Sequence, residues 1–441
     1  MMWRTRFLLV FCLSAVTALL AQLSSAQADP GHPVAVRWWG QAMVSIETYW
    51  NLHVVIDPYS AKIGYENPNV TGNLVLVSHE HGDHNNVELV GGEPIVVRGL
   101  DEAGNVRTID QVLDCLPNEA TASWRDVRQR VARTQHAIQV TSIPAWHDDT
   151  EGRQRGANTL FLIEVDGVRI VHCGDLGQPA LTDKQLAALG EVDVLLIPVG
   201  GVYTVDGTQA ADIVRQVRAR IVVPIHYKTP NLVYDLQPVQ GFLAALGDHC
   251  EVVRAKGNTL AVCSGERRVT KSQVIVLDFV PWSLPQEWEQ LFVDKERSCR
   301  ESQQVFAKLS VEQMNFCPGN GTHTPRWNAE HMMGRELGFF SQIYAQLTPA
   351  IRPLDLNPEQ MPPDYVAAHP DWLGAEESRQ MERVSASTRR FAYLLDGLEL
   401  DKEAPGSRWT PRGLLKQMKR HYDDHTANVK KKFELPDWPA E

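Results

Sequence analysis

Four side chains able to bind a metal fall within six residues of this chain. They are His79, His81, Asp83 and His84, in the run V-L-V-S-H-E-H-G-D-H from Val75 to His84. His79 and His81 alternate and can point the same way, and Gly82 lets the backbone turn before Asp83 and His84. One loop of this kind can feed two metals about 3.5–4 Å apart, as in two-metal hydrolases. Three more candidates follow: His147 in P-A-W-H-D-D, Asp175 in H-C-G-D and His226 in V-P-I-H-Y-K. Zinc takes imidazole and carboxylate ligands, and seven of them arranged as two clusters with one shared carboxylate fill a binuclear site. Such a site ionises a bound water near pH 7, and the resulting hydroxide attacks a carbonyl carbon or a phosphorus. Asp83 can act both as ligand and as acceptor of the water proton. His172 stands close to Asp175 as a residue that could orient a ligand. Tyr227 and Lys228 follow His226 as candidates for holding an anionic substrate. Asp148 and Asp149 read as a solvated loop.

These residues need strands to carry them. Val34 to Trp38, Met43 to Thr48 and His53 to Asp57 read as short strands, and Leu74 to Val77 delivers the histidine loop. Ile138 to Ile143 leads to His147. Thr159 to Val165 and Val168 to Cys173 form a hairpin over Asp166-Gly167. Val192 to Ile197 and Ile221 to Ile225 are buried strands, the second ending at His226. A helix from Asp206 to Ala219 starts with Asp206 and Gln209 placed as a capping box. Residues 99 to 136 look like an inserted polar lobe with a helix near Ala122 to Arg133.

The string H-x-H-x-D-H, followed in order by His, Asp and His, resembles the signature of the metallo-β-lactamase superfamily. The resemblance implies an α/β αββα-sandwich over residues 29–270. It also implies that His79, His81 and His147 hold one metal, that Asp83, His84 and His226 hold the other, and that Asp175 bridges them. W-W-G-Q-A from Trp38, I-D-P from Ile56, V-H-C-G-D-L-G from Val171, I-P-V-G-G from Ile197 and V-P-I-H-Y-K-T from Val223 resemble the branch of the ascorbate-6-phosphate lactonase. Substrate does not follow from the fold.

After a linker at 271–284 the pattern turns helical. Trp288, Phe292, Cys299, Phe306 and Leu309 share one face of a first helix. Thr324-Pro325 opens a second, to about Leu347. A proline-rich excursion leads to a third, Glu376 to Leu398, and Thr410-Pro411 opens a fourth, to about Phe433. Four helices with one long connection make an all-α four-helix bundle over 285–441. His421 and His425 are four apart and share a face with Leu414, Met418 and Val429. His331 on the second helix could join them in a three-histidine site for zinc or nickel. The segments W-N-A-E-H-M-M-G-R-E, T-P-R-G-L-L and H-x-x-x-H resemble the DinB-like bundle family, some members of which are thiol transferases.

Residues 1–28 read as a secretory signal peptide, with Arg4 and Arg6 ahead of an apolar core and Ala26-Gln27-Ala28 as cleavage site. The mature chain is then exported, periplasmic or extracellular, with no membrane insertion. The full chain carries a net charge of −11, which argues against nucleic acid as substrate. Six cysteines survive cleavage (Cys115, Cys173, Cys250, Cys263, Cys299 and Cys317), without a C-x-x-C pair. The expectation is an exported binuclear hydrolase acting on a small ester, lactone or phosphoester. Two divalent metals, zinc first and manganese or iron next, serve the first half. The alternatives are a thiol-dependent transferase centred on the bundle metal, and a non-catalytic metal-binding protein.

Overall fold

The computed structural model describes residues 32–113, 138–265, 267, 269–319, 322–357, 361 and 365–440. The expected signal peptide, Cys115 and the helix expected near Ala122 to Arg133 lie outside these. In the first half the strands are β1 (Val34–Trp38), β2 (Val44–Glu47), β3 (His53–Ile56), β4 (Leu74–Val77), β5 (Ile95–Arg98), β6 (Asp110–Leu113), β7 (Ile138–Trp146), β8 (Ala157–Val165), β9 (Val168–His172), β10 (Val194–Pro198), β11 (Ile221–Ile225), β12 (Cys250–Arg254), β13 (Thr259–Val262) and β14 (Ser272–Val276). They form a six-stranded sheet, β13-β1-β2-β3-β4-β5, and an eight-stranded sheet, β12-β14-β11-β10-β9-β8-β7-β6.

Alternation along the strands decides which face meets which layer. Val44, Ile46, Val54, Ile56, Leu74 and Leu76 join Leu160, Val171, Leu196 and Val223 in one core between the sheets. The intervening Val55, Val75 and Val77 face outward, under Tyr59, Tyr65 and Leu232. Three short helices accompany the larger sheet: α1 (Asp183–Leu189), α2 (Gly207–Val217) and α3 (Gln240–Leu246). Asp206 caps α2 in a capping box with Gln209.

Two expectations are corrected here. The stretch taken as a linker contains β14, which pairs in parallel with β11 and β12. Its V-I-V run is too short to show a period of its own. The polar segment after residue 99 begins with strand pairing rather than a separate lobe, since β6 pairs with β7.

The second half is helical: α4 (Gln286–Phe306), α5 (Val311–Asn315), α6 (Pro325–Leu347), α7 (Gly374–Arg390) and α8 (Pro411–Lys430). α4 packs on α7 and α8, and α6 packs on the same two. Thr324 and Thr410 cap α6 and α8, each with Pro in the first turn. The third helix stops at Arg390, well before Leu398, and Ala392–Leu395 tighten into a 3-10 turn. Phe391, Ala392 and Leu395 stay in the apolar core across that change, which is why the periodicity reads on. Cys173, Cys250, Cys263 and Cys299 are buried free thiols, and Cys317 is exposed. No helix of the described residues is long and apolar enough to cross a membrane.

The halves share cores. Ala35 of β1 and Ala261 of β13 pack among helical residues such as Phe292, Phe340 and Leu414. Tyr49 sits with Cys299, Met332 and Tyr422.

Candidate metal centres

β9, β10 and β11 run parallel, and β7 lies antiparallel to β8, itself antiparallel to β9. β7, β9 and β11 therefore point the same way, and their carboxyl ends bring His147, Asp175 and His226 to one edge. The loop after β4 faces them from the other sheet. His79 Nε2 lies 2.9 Å from His81 Nδ1, and His147 Nε2 lies 3.2 Å from the same atom. Asp175 Oδ2 is 3.4 Å from His147 Nε2 and 3.9 Å from His79 Nε2. Its other oxygen, Oδ1, is 3.2 Å from both His84 Nε2 and His226 Nε2. His84 Nε2 is also 3.6 Å from Asp83 Oδ2. Two clusters result, His79–His81–His147–Asp175 and Asp83–His84–His226. Asp175 directs one oxygen to each.

The donor set fits metal ions. Tetrahedral ligands on zinc stand about 3.3 Å apart for bonds of about 2.0–2.1 Å, in line with these separations. His84 Nε2 and Asp175 Oδ1 are buried and 3.2 Å apart but make no well-aligned hydrogen bond, although buried polar atoms are nearly always satisfied. Burial, then the nearby His84, pushes His79 well below its ordinary pKa. Burial also works against the His84 charge, but Asp175 and Asp57 outweigh it and hold that ring well above. Asp175 resists the cost of its burial because His226 and His84 hold it ionised, well below the usual carboxylate range. His81 and Gly82 are exposed and the other ligands are mostly buried, so the centre opens to solvent on the side of the histidine loop. A cavity of about 440 Å³ lies beside that loop, lined by Gly82, Asn85, Lys62, Arg98 and Tyr234 among others.

A family model described as a beta-lactamase superfamily domain matches residues 35–226. A UPF0173 metal-dependent hydrolase of Thermococcus kodakarensis is 30% identical over 228 residues, which are 50% of this chain and 95% of its own. This chain belongs to that hydrolase family, within the metallo-β-lactamase superfamily. A second family member, from Pyrococcus horikoshii, is 29% identical over 51% of this chain and 96% of its own. A metallo-β-lactamase superfamily protein of solved structure from Thermotoga maritima aligns at 28% identity and a TM-score of 0.39, covering 55% of this chain and 98% of its own.

Residues that the sequence did not single out support the candidate ligands from behind. Asp57 accepts from Ser78 N and Ser78 Oγ, both at 2.7 Å, and lies 3.0 Å from His84 Nδ1. Ser78 Oγ is 3.0 Å from His79 Nδ1. Because β3 and β4 are parallel neighbours, Asp57 and Ser78 emerge side by side. Gln41 donates to Asp83 Oδ2 at 2.9 Å, and its carbonyl receives His226 N–H at 2.8 Å. Asn158 Oδ1 receives the Asp175 N–H at 3.0 Å. Gly174 turns here with φ +51°, where a Cβ would meet Asn158 Oδ1 at 2.4 Å. Asp57 (φ 49°), Gln41 (φ 49°) and His226 (φ 50°) all sit in the left-handed region. That region costs a non-glycine residue about 1–3 kcal/mol and clusters at functional sites.

Other sequence candidates fall elsewhere. His172 Nε2 donates to Ala42 O at 2.8 Å, and its Nδ1 accepts from Gly174 N–H at 3.1 Å. It supports the turn before Asp175. Lys228 Nζ donates to the carbonyls of Leu232 and Tyr234, at 2.9 and 2.7 Å, so it ties down its own loop and is not directed at an anionic substrate. Tyr227 is buried against Trp38, with ring centroids 5.0 Å apart. Asp148 is not solvated: it is buried and accepts from Thr150 Oγ1 and from the N–H groups of Thr150, Gly152, Gln154 and Arg155. It shapes the loop after His147.

In the helical half His331 of α6 meets His421 and His425 of α8, with ligand nitrogens within 4.8 Å of one another. His425 Nδ1 is 2.7 Å from Asn328 Oδ1. His331 Nδ1 and His421 Nδ1 are buried without a hydrogen-bond partner. Trp327 stacks on His331, with centroids 4.5 Å apart. Burial, then the neighbouring rings, lowers His331 to about 4 and His421 to about 3. Burial lowers His425 to about 4. All three are neutral at pH 7 and present lone pairs, as metal ligation requires.

Proposed function

We propose that this chain is an exported hydrolase with a binuclear metal centre, acting on a small ester, lactone or phosphoester. The observation that carries the binuclear reading is Asp175, with one oxygen turned to each ligand cluster. His79, His81 and His147 would hold one ion, and Asp83, His84 and His226 the other, with Asp175 between. Divalent metals, zinc first and manganese or iron next, supply an acidified water and positive charge for an oxygen of the substrate. Asp57 and Ser78 orient His84 and His79, and Gln41 orients Asp83. Asp83 Oδ2 faces Gln41 and His84, which leaves Oδ1 to accept the proton of the attacking water. Lys62 and Tyr234, lining the cavity beside the histidine loop, are placed to meet the polar end of the substrate.

We read the helical half as a DinB-like four-helix bundle, with a mononuclear zinc or nickel site at His331, His421 and His425. That cluster supports the thiol-transferase alternative, because its three-histidine set leaves metal positions open.

One experiment tests the main reading. Metal content per chain is measured on the mature protein, on His79→Ala and on His421→Ala, and each is then screened with ester, lactone and phosphodiester substrates. Loss of hydrolysis with His79→Ala alone supports the proposal. Hydrolysis that survives His79→Ala and disappears with His421→Ala transfers the chemistry to the helical half.

A further inference from the structure

The loop after β10 is built into the first metal centre and carries side chains that the centre does not use. Gly200 passes so close to His226 that a Cβ there would meet the His226 carbonyl oxygen at 2.3 Å. Val205 N–H donates to Leu176 O at 2.9 Å, one residue beyond Asp175. The loop is therefore held between two ligand segments. Its tip, Val202-Tyr203, projects into solvent instead: Val202 is 53% exposed and Tyr203 44%. Val202 adopts φ 63°, which β-branched residues rarely do, and such outliers cluster at functional sites. Arg155, from the loop after His147, pins the tip. It donates to Val202 O at 3.1 Å, and its guanidinium lies 5.9 Å from the Tyr203 ring centre. Tyr203 also meets Tyr234 edge-to-face, with centroids 6.2 Å apart. Tyr234 lines the cavity beside the histidine loop together with Gly82. Burial, then the Asp83 charge, pushes its phenol above the ordinary value, so Tyr234 links the tip to the metal ligands. Small-molecule sites pair a few placed polar groups with apolar and aromatic walls, and this lip supplies the apolar wall that the ligand clusters lack.

We propose that Val202, Tyr203 and Tyr234 form a subsite for a flat apolar group, so that the substrate is an ester, lactone or phosphoester bearing an aryl group. Its reacting end lies at the metal ligands and its ring against Tyr203 and Val202, with Tyr234 between. Arg155 fixes the lip. The inference rests on the hydrolytic reading of the first-half centre.

The test is calorimetric titration of the full, zinc-loaded protein with phenylphosphonate and methylphosphonate, which share an anionic group for the ions and differ in their tails. The expected result is at least about tenfold tighter binding of phenylphosphonate. Tyr203→Ala should remove that preference while leaving methylphosphonate affinity and zinc content unchanged, and Tyr203→Phe should keep it. Equal affinities for the two, or a preference that survives Tyr203→Ala, overturn the proposal and leave the centre standing. Absence of binding by both also overturns it. Zinc content then shows whether the centre falls too: it does if His79→Ala holds as much zinc as the unaltered protein.

Discussion

At the strand-end centre two rings are steadied from behind, His84 by Asp57 and His79 by Ser78, while His147 and His226 keep unpartnered Nδ1 atoms. At the helix centre only His425 is steadied, by Asn328, while His331 and His421 keep unpartnered Nδ1 atoms. The first centre also contains two carboxylates and the second contains none. Strand ends can converge from several directions, so a sheet edge assembles seven ligands and their supports from distant segments. Two helices offer only the faces they share, so α6 and α8 bring three rings with few helpers. The first arrangement suits two charged ions held in fixed geometry, and the second suits one ion with open positions.

The largest break in this comparison comes from Asp175→Ala. It removes the oxygen directed to each cluster and is expected to abolish hydrolysis and release both first-half metals, seen by elemental analysis. The helical-half metal should stay. His421→Ala is the reciprocal change: the helical-half metal is lost and hydrolysis is unchanged. A parallel fall in hydrolysis would mean the centres cooperate. Asp57→Asn sharpens the point about supports. It is expected to weaken first-half metal affinity about 10–100-fold, the usual cost of losing a partner behind a ligand, measured by competition with a chelator. The smallest effect concerns pH. With metal removed by chelation, His331, His421 and His425 have folded values of about 4, 3 and 4, against about 6.5 in an unfolded chain. Across that interval the unfolded state binds more protons, so stability is lost as pH falls from about 6.5 toward 4. Melting temperatures measured over that range should drop, and His421→Phe should flatten the slope.

The candidate ligands of the first half were legible because each follows the end of a strand, and the carboxyl ends of strands are where α/β sheets build their sites. Their supports were not. Asp57 lies 27 residues from His84, and only the parallel pairing of β3 with β4 brings them together. Gln41 works as much through its backbone carbonyl as through its amide, and a sequence shows no backbone acceptor. Lys228 and Tyr227 misled for the opposite reason. Both are chemically able, and only the loop geometry shows that the lysine is occupied and the tyrosine packed away. In the helical half the shared apolar core around Phe391 concealed a real helix end.

Because Ala35, Ala261 and Tyr49 lie inside cores built mainly by the helices, the surface of the first sheet is also an interior wall of the second half. Arg390 and Tyr393 hydrogen-bond to Glu47 and to the Ala261 N–H across the same seam. The chain should therefore melt as one cooperative unit. A protease cut between residues 277 and 285 would leave two fragments that stay associated until denaturant parts them.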